Sequence, residues 1–381
     1  MLFGEQEIQE PVTPQAFLWS SEIVSQDDTW SAMESVLKSR RFPHCSLIRG
    51  SQGTGALAVA LSLAQNLLCR ESEIACGHCS GCYKAGLLIH PDLHFSFPVF
   101  GAGEICLDHY TAFRSAAQEN PWMSVQNWLS ITDSENKQAN ITAREARSII
   151  ERLYLKPFEA DRNVMIVWLA EFLGKESNIL LKLLEEPPGH SYIILITEDP
   201  AAILPTVQSR TQQFRLKPLQ DADVANALVR KLGIKYDDAL SAALSSEGNL
   251  PLALELAGNE SGGFLKFIQQ MLQAAYKKDP AEMWTWMEQV ATVNRDNQRR
   301  LFAYFLMILS LSLRMGNDAY TKEQLQHPVL QYADRLAQRL GVDKILQINA
   351  LVNECSYGIM RNANIRILLH DFLISLAGII R

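Results

Sequence analysis

The stretch Ser46–Leu57, SLIRGSQGTGAL, joins a short apolar strand, a glycine-rich turn and the first turn of a helix. Compared with the phosphate-binding pattern G-x-x-x-x-G-K-[ST], Gly50 and Gly55 occupy the two glycine positions. An apolar helical run, Ala58–Gln65, follows at once, so the strand–loop–helix context of a phosphate loop is present. Gly50, Gly53 and Gly55 are therefore candidate nucleotide-contacting residues of a degenerate loop.

The two side chains that carry the chemistry of such a loop are missing. Ala56 stands at the position of the lysine that would contact the β- and γ-phosphates. Leu57 stands at the position of the hydroxyl that would ligate Mg²⁺. Because a glycine turn before a helix is also an ordinary βα turn, the interpretation depends on the rest of the chain.

Composition limits the classes of protein that this chain can belong to. A length of 381 residues predicts two or three domains, and 48% hydrophobic with 20% charged residues is typical of a soluble globular protein. The net charge, 35 − 42 = −7, argues against a stand-alone nucleic-acid binder. The longest apolar run, Leu301–Leu313, is too short to cross a bilayer, and Met1–Glu10 has no basic signal region. We expect a cytoplasmic protein without a membrane partner.

Four of the seven cysteines lie within fourteen residues: Cys69, Cys76, Cys79 and Cys82. This clustering favours a metal site in a reducing compartment over a disulfide scaffold. Four thiolates complete a tetrahedral set for Zn²⁺ and leave no open position, so the expected zinc is structural. The other possibility is four reduced, buried thiols. His78 and His90 are surplus to the set, and we expect them at the surface.

Alternating strands and helices after this point indicate a three-layer α/β domain. The apolar run Asn163–Trp168 is typical of a strand buried on both faces of a parallel sheet. A nucleotide-hydrolysing protein would end this strand in Asp-Glu, whereas Trp168 and Leu169 stand there, and Glu171 is the nearest carboxylate. Thr197 lies at the end of the next strand, where nucleotide-hydrolysing proteins of this kind carry a polar residue that senses the γ-phosphate.

One segment interrupts the alternation. Residues from about 99 to 139 have no clear periodicity, and we interpret them as an insertion whose Trp122 and Trp128 pack on the surface or on a partner. Order returns at Thr142-Ala143-Arg144-Glu145, which predicts a capping box in which Thr142 and Glu145 satisfy each other's backbone amides at the start of a helix.

Together these motifs resemble a known family. The Gly50–Gly55 loop, the four cysteines, the segment Leu180–Pro188 (LLKLLEEPP) and Ser209-Arg210-Thr211 occur here in the order and spacing of the clamp-loader AAA+ subunits of bacterial DNA polymerase III. The resemblance extends from Ala16 to the end of the chain. Because the loop lysine is missing, the chain resembles the delta-prime type of subunit rather than the hydrolysing gamma/tau type.

The resemblance implies a role for Arg210. The family carries a Ser-Arg-Cys motif whose arginine reaches the γ-phosphate of ATP in the neighbouring subunit; Ser209 and Arg210 match it, and Thr211 replaces the cysteine. Arg210 would then act in trans, while ATP would not be bound productively by this chain. The implied partners are the gamma/tau ATPase subunits, the delta subunit and, through the assembly, the sliding clamp and primed DNA.

The resemblance also implies a domain organisation. Residues 1–217 would form the AAA+ domain with a zinc knuckle at 69–82, although the gap between the first two cysteines is shorter than the family pattern. Residues 218–261 would form a small helical lid, in which Pro251 replaces a second sensor arginine. Residues 262–381 would form an all-α collar that assembles the ring.

Two other functions stay open at this stage. The chain could be an active clamp-loader-type ATPase that has moved its lysine and acid elsewhere. It could also be a zinc-dependent DNA-binding module, although the acidic charge and the lack of a basic, aromatic-rich element count against that.

Overall fold

The computed structural model describes residues 15–100, 104–132, 139–246, 248–257, 261–293, 295–315, 328–360 and 363–380. Its internal contacts divide the chain into two compact units. The first consists of Met1–Gln220 with Asn249–Pro251, and the second of Asp221–Gly248 with Leu252–Arg381. No helix among the described residues is long and apolar enough to cross a membrane.

The first unit is built on a five-stranded sheet in which every pair of neighbours is parallel. The strands are β1 (Cys45–Arg49), β2 (Leu93–Ser96), β3 (Asn163–Val167), β4 (Ser191–Thr197) and β5 (Gln212–Arg215). Their order across the sheet is β2-β3-β4-β1-β5. The prediction of a parallel α/β domain is therefore confirmed.

Helices cover both faces of this sheet, as the three-layer prediction requires. In β4, Ile194 and Ile196 belong to one hydrophobic core and Ile193 and Leu195 to a second. Successive side chains of a strand point to opposite faces, so the two cores lie on opposite sides of the sheet. A strand buried on both faces has no need of polar residues, which explains its uninterrupted apolar sequence.

The described residues of the first unit form eight α-helices. They are α1 (Asp27–Lys38), α2 (Ala56–Leu67), α3 (Ser80–Gly86), α4 (Tyr110–Glu119), α5 (Val125–Ile131), α6 (Ala143–Tyr154), α7 (Leu181–Glu185) and α8 (Pro205–Gln208). Short 3₁₀ segments lie at Trp19–Glu22, Cys106–His109, Ala170–Leu180 and Pro200–Ala202. Every residue of α2 is buried, which makes the helix after the glycine turn the centre of its core.

The prediction for the tryptophans near 99–139 is wrong. Trp122 and Trp128 are buried, and the Trp128 ring meets Phe97 edge-on at 5.3 Å between ring centroids. Phe97 also stacks on Phe113 of α4 at 4.0 Å. The described parts of this segment thus complete the core on one face of the sheet. Local periodicity missed this because the contacts join residues that are far apart in the sequence.

Of the two hydrogen bonds in the predicted capping box, the one accepted by the Thr142 side chain is confirmed. Thr142 accepts a hydrogen bond from the Glu145 amide at 3.2 Å, so Thr142 is the N-cap of α6. The Glu145 carboxylate does not return this bond among the described contacts. It is fully buried, pairs with Arg152 and accepts the Cys106 amide at 3.0 Å, because a buried charge is more stable with a cationic partner.

The described residues of the second unit are helical. Its helices are α9 (Asp221–Leu232), α10 (Tyr236–Ser246), α11 (Leu250–Ala257, whose first two residues group with the first unit), α12 (Ser261–Lys277), α13 (Pro280–Thr292), α14 (Arg295–Arg314), α15 (Pro328–Met360) and α16 (Ile365–Ile379). Gly341 breaks α15 with a φ of 73° and a ψ of 165°. The division of this region into a lid and a collar stays a prediction.

Candidate functional site

The glycine turn after β1 connects the strand to α2 through two glycines with positive φ. Gly53 and Gly55 adopt φ values of 82° and 83°, which glycine tolerates without strain, and Gly55 directly precedes α2. The Gly50 amide donates to the Thr197 carbonyl at 3.2 Å, and the Thr54 hydroxyl donates to the Ser51 carbonyl at 2.8 Å. The three predicted glycines therefore lie in one turn at the carboxyl end of the sheet, where parallel folds bind ligands.

Apolar side chains surround this turn. Ala56 and Leu57, which stand at the positions of the lysine and the hydroxyl, are buried apolar residues. Neither can offer a polar group to a phosphate. The Trp122 ring packs so closely on the turn that a Cβ on Gly55 would lie 2.6 Å from it. Trp122 and Glu198 line the same small recess beside the turn. Sequence reasoning missed both residues as parts of this site, because neither belongs to the loop motif.

The end of β3 carries apolar residues at the two positions where a nucleotide-hydrolysing protein would carry acids. Trp168 and Leu169 are buried apolar residues at the predicted acid positions. Glu171 is turned to the backbone and accepts the Glu198 amide at 3.1 Å. Burial raises the pKa of Glu171, and burial together with the Glu171 charge raises the pKa of Glu198 to about 7. Thr197 is fully buried at the predicted sensor position.

The four predicted metal ligands come together in space. The Cys69 and Cys79 sulfurs are 4.0 Å apart, those of Cys76 and Cys82 are 3.8 Å apart, and all four lie within 4.8 Å of one another. A Zn–S distance of about 2.3 Å gives a tetrahedron with sulfurs about 3.8 Å apart. The cluster can therefore hold a metal ion of that size with four thiolate ligands.

The surrounding backbone fixes this cluster. Cys79 is the N-cap of α3, and its sulfur accepts the Cys82 amide at 3.3 Å. Gly81 comes so close to the end of α2 that a Cβ there would lie 2.5 Å from the Leu68 carbonyl oxygen. Burial raises the pKa values of the Cys76 and Cys82 thiols, so a cation is needed to keep all four as thiolates.

The two histidines near the cluster differ. His78 is exposed, as expected, and its Nδ1 lies 3.0 Å from Glu71 and 3.5 Å from the Cys76 sulfur. His90 is buried, so its predicted surface position is wrong. Its Nδ1 accepts the Asp92 amide at 3.1 Å, and burial lowers its pKa. A buried, neutral imidazole held by the backbone does not contribute to the metal cluster.

Arg210 lies at the surface, next to the end of α8. Its Nε donates to the Glu185 carboxylate at 2.6 Å, and its Nη1 donates to the Thr206 carbonyl at 2.9 Å. The Ser209 hydroxyl donates to the Thr206 carbonyl at 3.2 Å and thereby supports the same turn. The side chain of Arg210 is about one-third exposed (34%), so solvent reaches its guanidinium group.

Comparisons with known proteins agree with these features. A family model described as DNA polymerase III, delta subunit, matches residues 25–220. DNA polymerase III subunit delta' of Escherichia coli K12 is 24% identical over 310 residues, covering 80% of this chain and 79% of that protein. The corresponding subunit of Bacillus subtilis 168 is 23% identical over 341 residues, covering 87% and 92%.

The gamma/tau subunit of Mycobacterium tuberculosis H37Rv is 26% identical over 261 residues, which is 67% of this chain but 37% of that protein. A solved gamma-subunit-related protein of Thermotoga maritima is 16% identical, covers 93% of this chain and all of its own, and has a TM-score of 0.38, too low to support an argument.

The matched family model spans more than half of the chain and includes the degenerate loop, the cysteine cluster and Arg210. The chain belongs to the delta-prime family of DNA polymerase III clamp-loader subunits.

Proposed function

We propose that this chain is the non-hydrolysing stator of the clamp loader and donates Arg210 to an ATPase site on a neighbouring subunit. Membership of the family makes it a part of the DNA polymerase III complex. The proposal adds that its own nucleotide site is silent and that its contribution to catalysis is made in trans. The working partners are then the gamma/tau ATPases and the delta subunit, with the sliding clamp and primed DNA reached through the assembly in the cytoplasm.

The observation that carries the proposal is a contrast between two sites. Five positions that would handle ATP within this chain hold residues without the required group: Ala56, Leu57, Trp168, Leu169 and Pro251. Pro251 has neither a cationic side chain nor a backbone donor. By contrast, the guanidinium group of Arg210 is retained at the surface.

Trp122 and Glu198 give a second reason to expect a silent site. The Trp122 ring fills space against the glycine turn, and Glu198 brings a carboxyl group into the same recess. Near neutral pH about half of the Glu198 side chains are charged, since its pKa lies at about 7. A carboxylate beside the loop repels phosphate, and no lysine is present to compensate.

Arg210 would act by exchanging one anion for another. A guanidinium is permanently charged and presents forked donors that match a phosphate as well as a carboxylate. In the free chain it pairs with Glu185. In the assembly, the γ-phosphate of a neighbouring ATP would take the place of Glu185, and the arginine would stabilise the charge that develops during phosphoryl transfer.

We further propose that the cysteine cluster binds a structural zinc ion. Cys69, Cys76, Cys79 and Cys82 would hold it as four thiolates, which fits the distances between their sulfurs. The bound ion would supply a cross-link between the end of α2 and the start of α3. With four protein ligands it has no open position for a substrate.

The two alternatives are less well supported. An active ATPase would need a new cation and a new catalytic acid, and Glu171, the first carboxylate after β3, is half-buried and accepts a backbone amide. A zinc-dependent DNA-binding module would need basic residues around the cluster, yet Glu71 and Glu73 lie beside Arg70 there, and the chain carries a net charge of −7.

The silent site is tested with the isolated chain, measuring bound nucleotide by equilibrium dialysis with labelled ATP and Mg²⁺. We expect no saturable binding below about 1 mM and no release of phosphate. Binding in the micromolar range, or phosphate release that Glu171→Gln abolishes, would favour the active-ATPase alternative.

A further inference from the structure

A groove between α12 and α15 in the second unit has no role in the function proposed above. Five positions on each helix line it: those between Gln269 and Lys277 on α12, and those between Tyr332 and Leu340 on α15. On both helices the lining positions follow the spacing i, i+3, i+4, i+7 and i+8, so each helix presents one continuous face to the groove. We call this surface the α12–α15 groove.

The floor of the α12–α15 groove is aliphatic. Leu272 and Leu336 contribute one side chain from each helix and are 8% and 7% exposed, and Ile380 closes one end at 7%. At the rim, Tyr276 is 71% exposed, which is unusual for a large aromatic side chain. A narrow apolar floor below an exposed aromatic rim is typical of a surface that receives an apolar side-chain stripe.

The charged side chains that line the groove, among the described residues, are all cationic. Among the described residues that line it are three cations, Lys277, Arg335 and Arg339, and no carboxylate. Lys277 is paired with Glu282 at 3.1 Å, whereas Arg339 has no ion pair or side-chain hydrogen bond within the described part of the chain. In a chain with a net charge of −7, this local excess of positive charge favours an anionic ligand.

We propose that the α12–α15 groove binds an amphipathic helix of a partner protein, with an apolar stripe flanked by acidic residues. The lining faces extend over eight residue steps, about 12 Å, which accommodates two turns of helix. The aliphatic floor takes the apolar stripe, and Arg335 and Arg339 pair with the acidic flank. Single-stranded nucleic acid fits less well, because its bases need stacking platforms and the floor offers leucine and isoleucine instead.

The test uses the full chain and a displayed library of random 16-residue peptides. Peptides retained by the wild-type chain should carry apolar residues at i, i+3, i+4 and i+7 with Asp or Glu beside them. Synthetic copies should bind about tenfold or more weakly to Arg335→Glu/Arg339→Glu, and binding should also weaken in Tyr276→Ala and at high salt.

Lys235→Glu is the matched control for charge reversal, since Lys235 is an exposed lysine of the same unit outside the groove. It should bind the peptides as the wild type does, and circular dichroism checks that each variant is folded. Enrichment of peptides without acidic residues would contradict the proposal. So would equal binding to the double variant, or tighter binding of a 20-nucleotide poly-dT strand than of any selected peptide.

Discussion

At the scale of single residues, Arg210 has two competing partners. In the free chain it pairs with Glu185, and in the proposed assembly it must leave that carboxylate for a phosphate. The pair is partly exposed, so its contribution is small and it can be broken easily. In the proposed account, Glu185 is a positioning residue that holds Arg210 until a nucleotide competes for it.

This competition gives a prediction for Glu185→Gln. Removing the carboxylate charge removes the competitor, so the DNA- and clamp-stimulated ATPase rate of the assembly should rise, by no more than about fivefold, the limit set by the strength of an exposed ion pair. The neighbouring exposed Glu186, changed to Gln, is the control and should leave the rate unaltered. A large fall in rate with Glu185→Gln alone would contradict the assignment of Glu185.

Glu198 gives a second prediction, on stability. Its pKa in the folded chain, about 7, is above its ordinary value of 4.5, so the folded state favours the protonated form. The resulting stabilisation is complete below pH 4.5 and is lost as the pH rises through 7. Glu198→Gln should therefore be more stable than the wild type at pH 8, by up to about 3 kcal/mol, with the difference shrinking toward pH 5. Urea unfolding at both pH values measures this; a constant difference would show that Glu198 is not the group concerned.

Single residues also mark the limit of what the sequence predicts. The three glycines and four cysteines could be identified because their spacing within a short stretch reflects local geometry. Trp122 and Glu198 could not, since each reaches the glycine turn from a distant part of the chain. The buried position of His90 was missed for the same reason.

At the scale of structural elements, the cysteine cluster joins α2 to α3, and it gives the third prediction. Cys79→Ser should lower the zinc content from one ion per chain to nearly none, because it removes one ligand and weakens the cap of α3. Inductively coupled plasma mass spectrometry of the purified chain measures the metal.

His78→Ala is the control for this measurement. His78 belongs to an alternative group with Glu71 and Cys76, so the change separates the two possible ligand sets. Full zinc content in His78→Ala with none in Cys79→Ser supports the four-sulfur site. Loss of zinc in His78→Ala would instead place the ion at the alternative group.

The strands were predicted closely, and the segment near 99–139 was not. β3 and β4 each carry a run of apolar residues that only a buried parallel strand accommodates, so their positions follow from local sequence. Likewise α7 ends at Glu185, shortly before Pro187-Pro188, where a helix cannot continue. The helices α4 and α5 pack through aromatic contacts with Phe97, which directly follows β2, a tertiary interaction that has no periodic signature.

At the scale of the whole molecule, the proposed function combines a nucleotide-binding fold without nucleotide chemistry and an exposed arginine that acts in the site of a neighbouring subunit. Loss of the loop lysine alone could be compensated. The lysine, the hydroxyl, the acid and the sensor arginine are lost together, which points to a site that is kept for its shape. The sheet and its helices then serve as a rigid frame for Arg210. The position of Arg210 relative to a neighbouring subunit depends on the interfaces of the assembly. The sequence of one chain does not predict those interfaces.

The central claim is tested most directly by the burst of phosphate release from the reconstituted assembly on primed DNA with the clamp, comparing wild type with Arg210→Ala. Arg215→Ala, an exposed arginine five residues away, is the control. If Arg210 acts in trans, the site beside this chain should slow about a hundredfold or more, and the burst should lose one ATP per assembly while the complex stays intact. An unchanged burst in an intact assembly would contradict the account and leave this chain with a purely structural place in the ring.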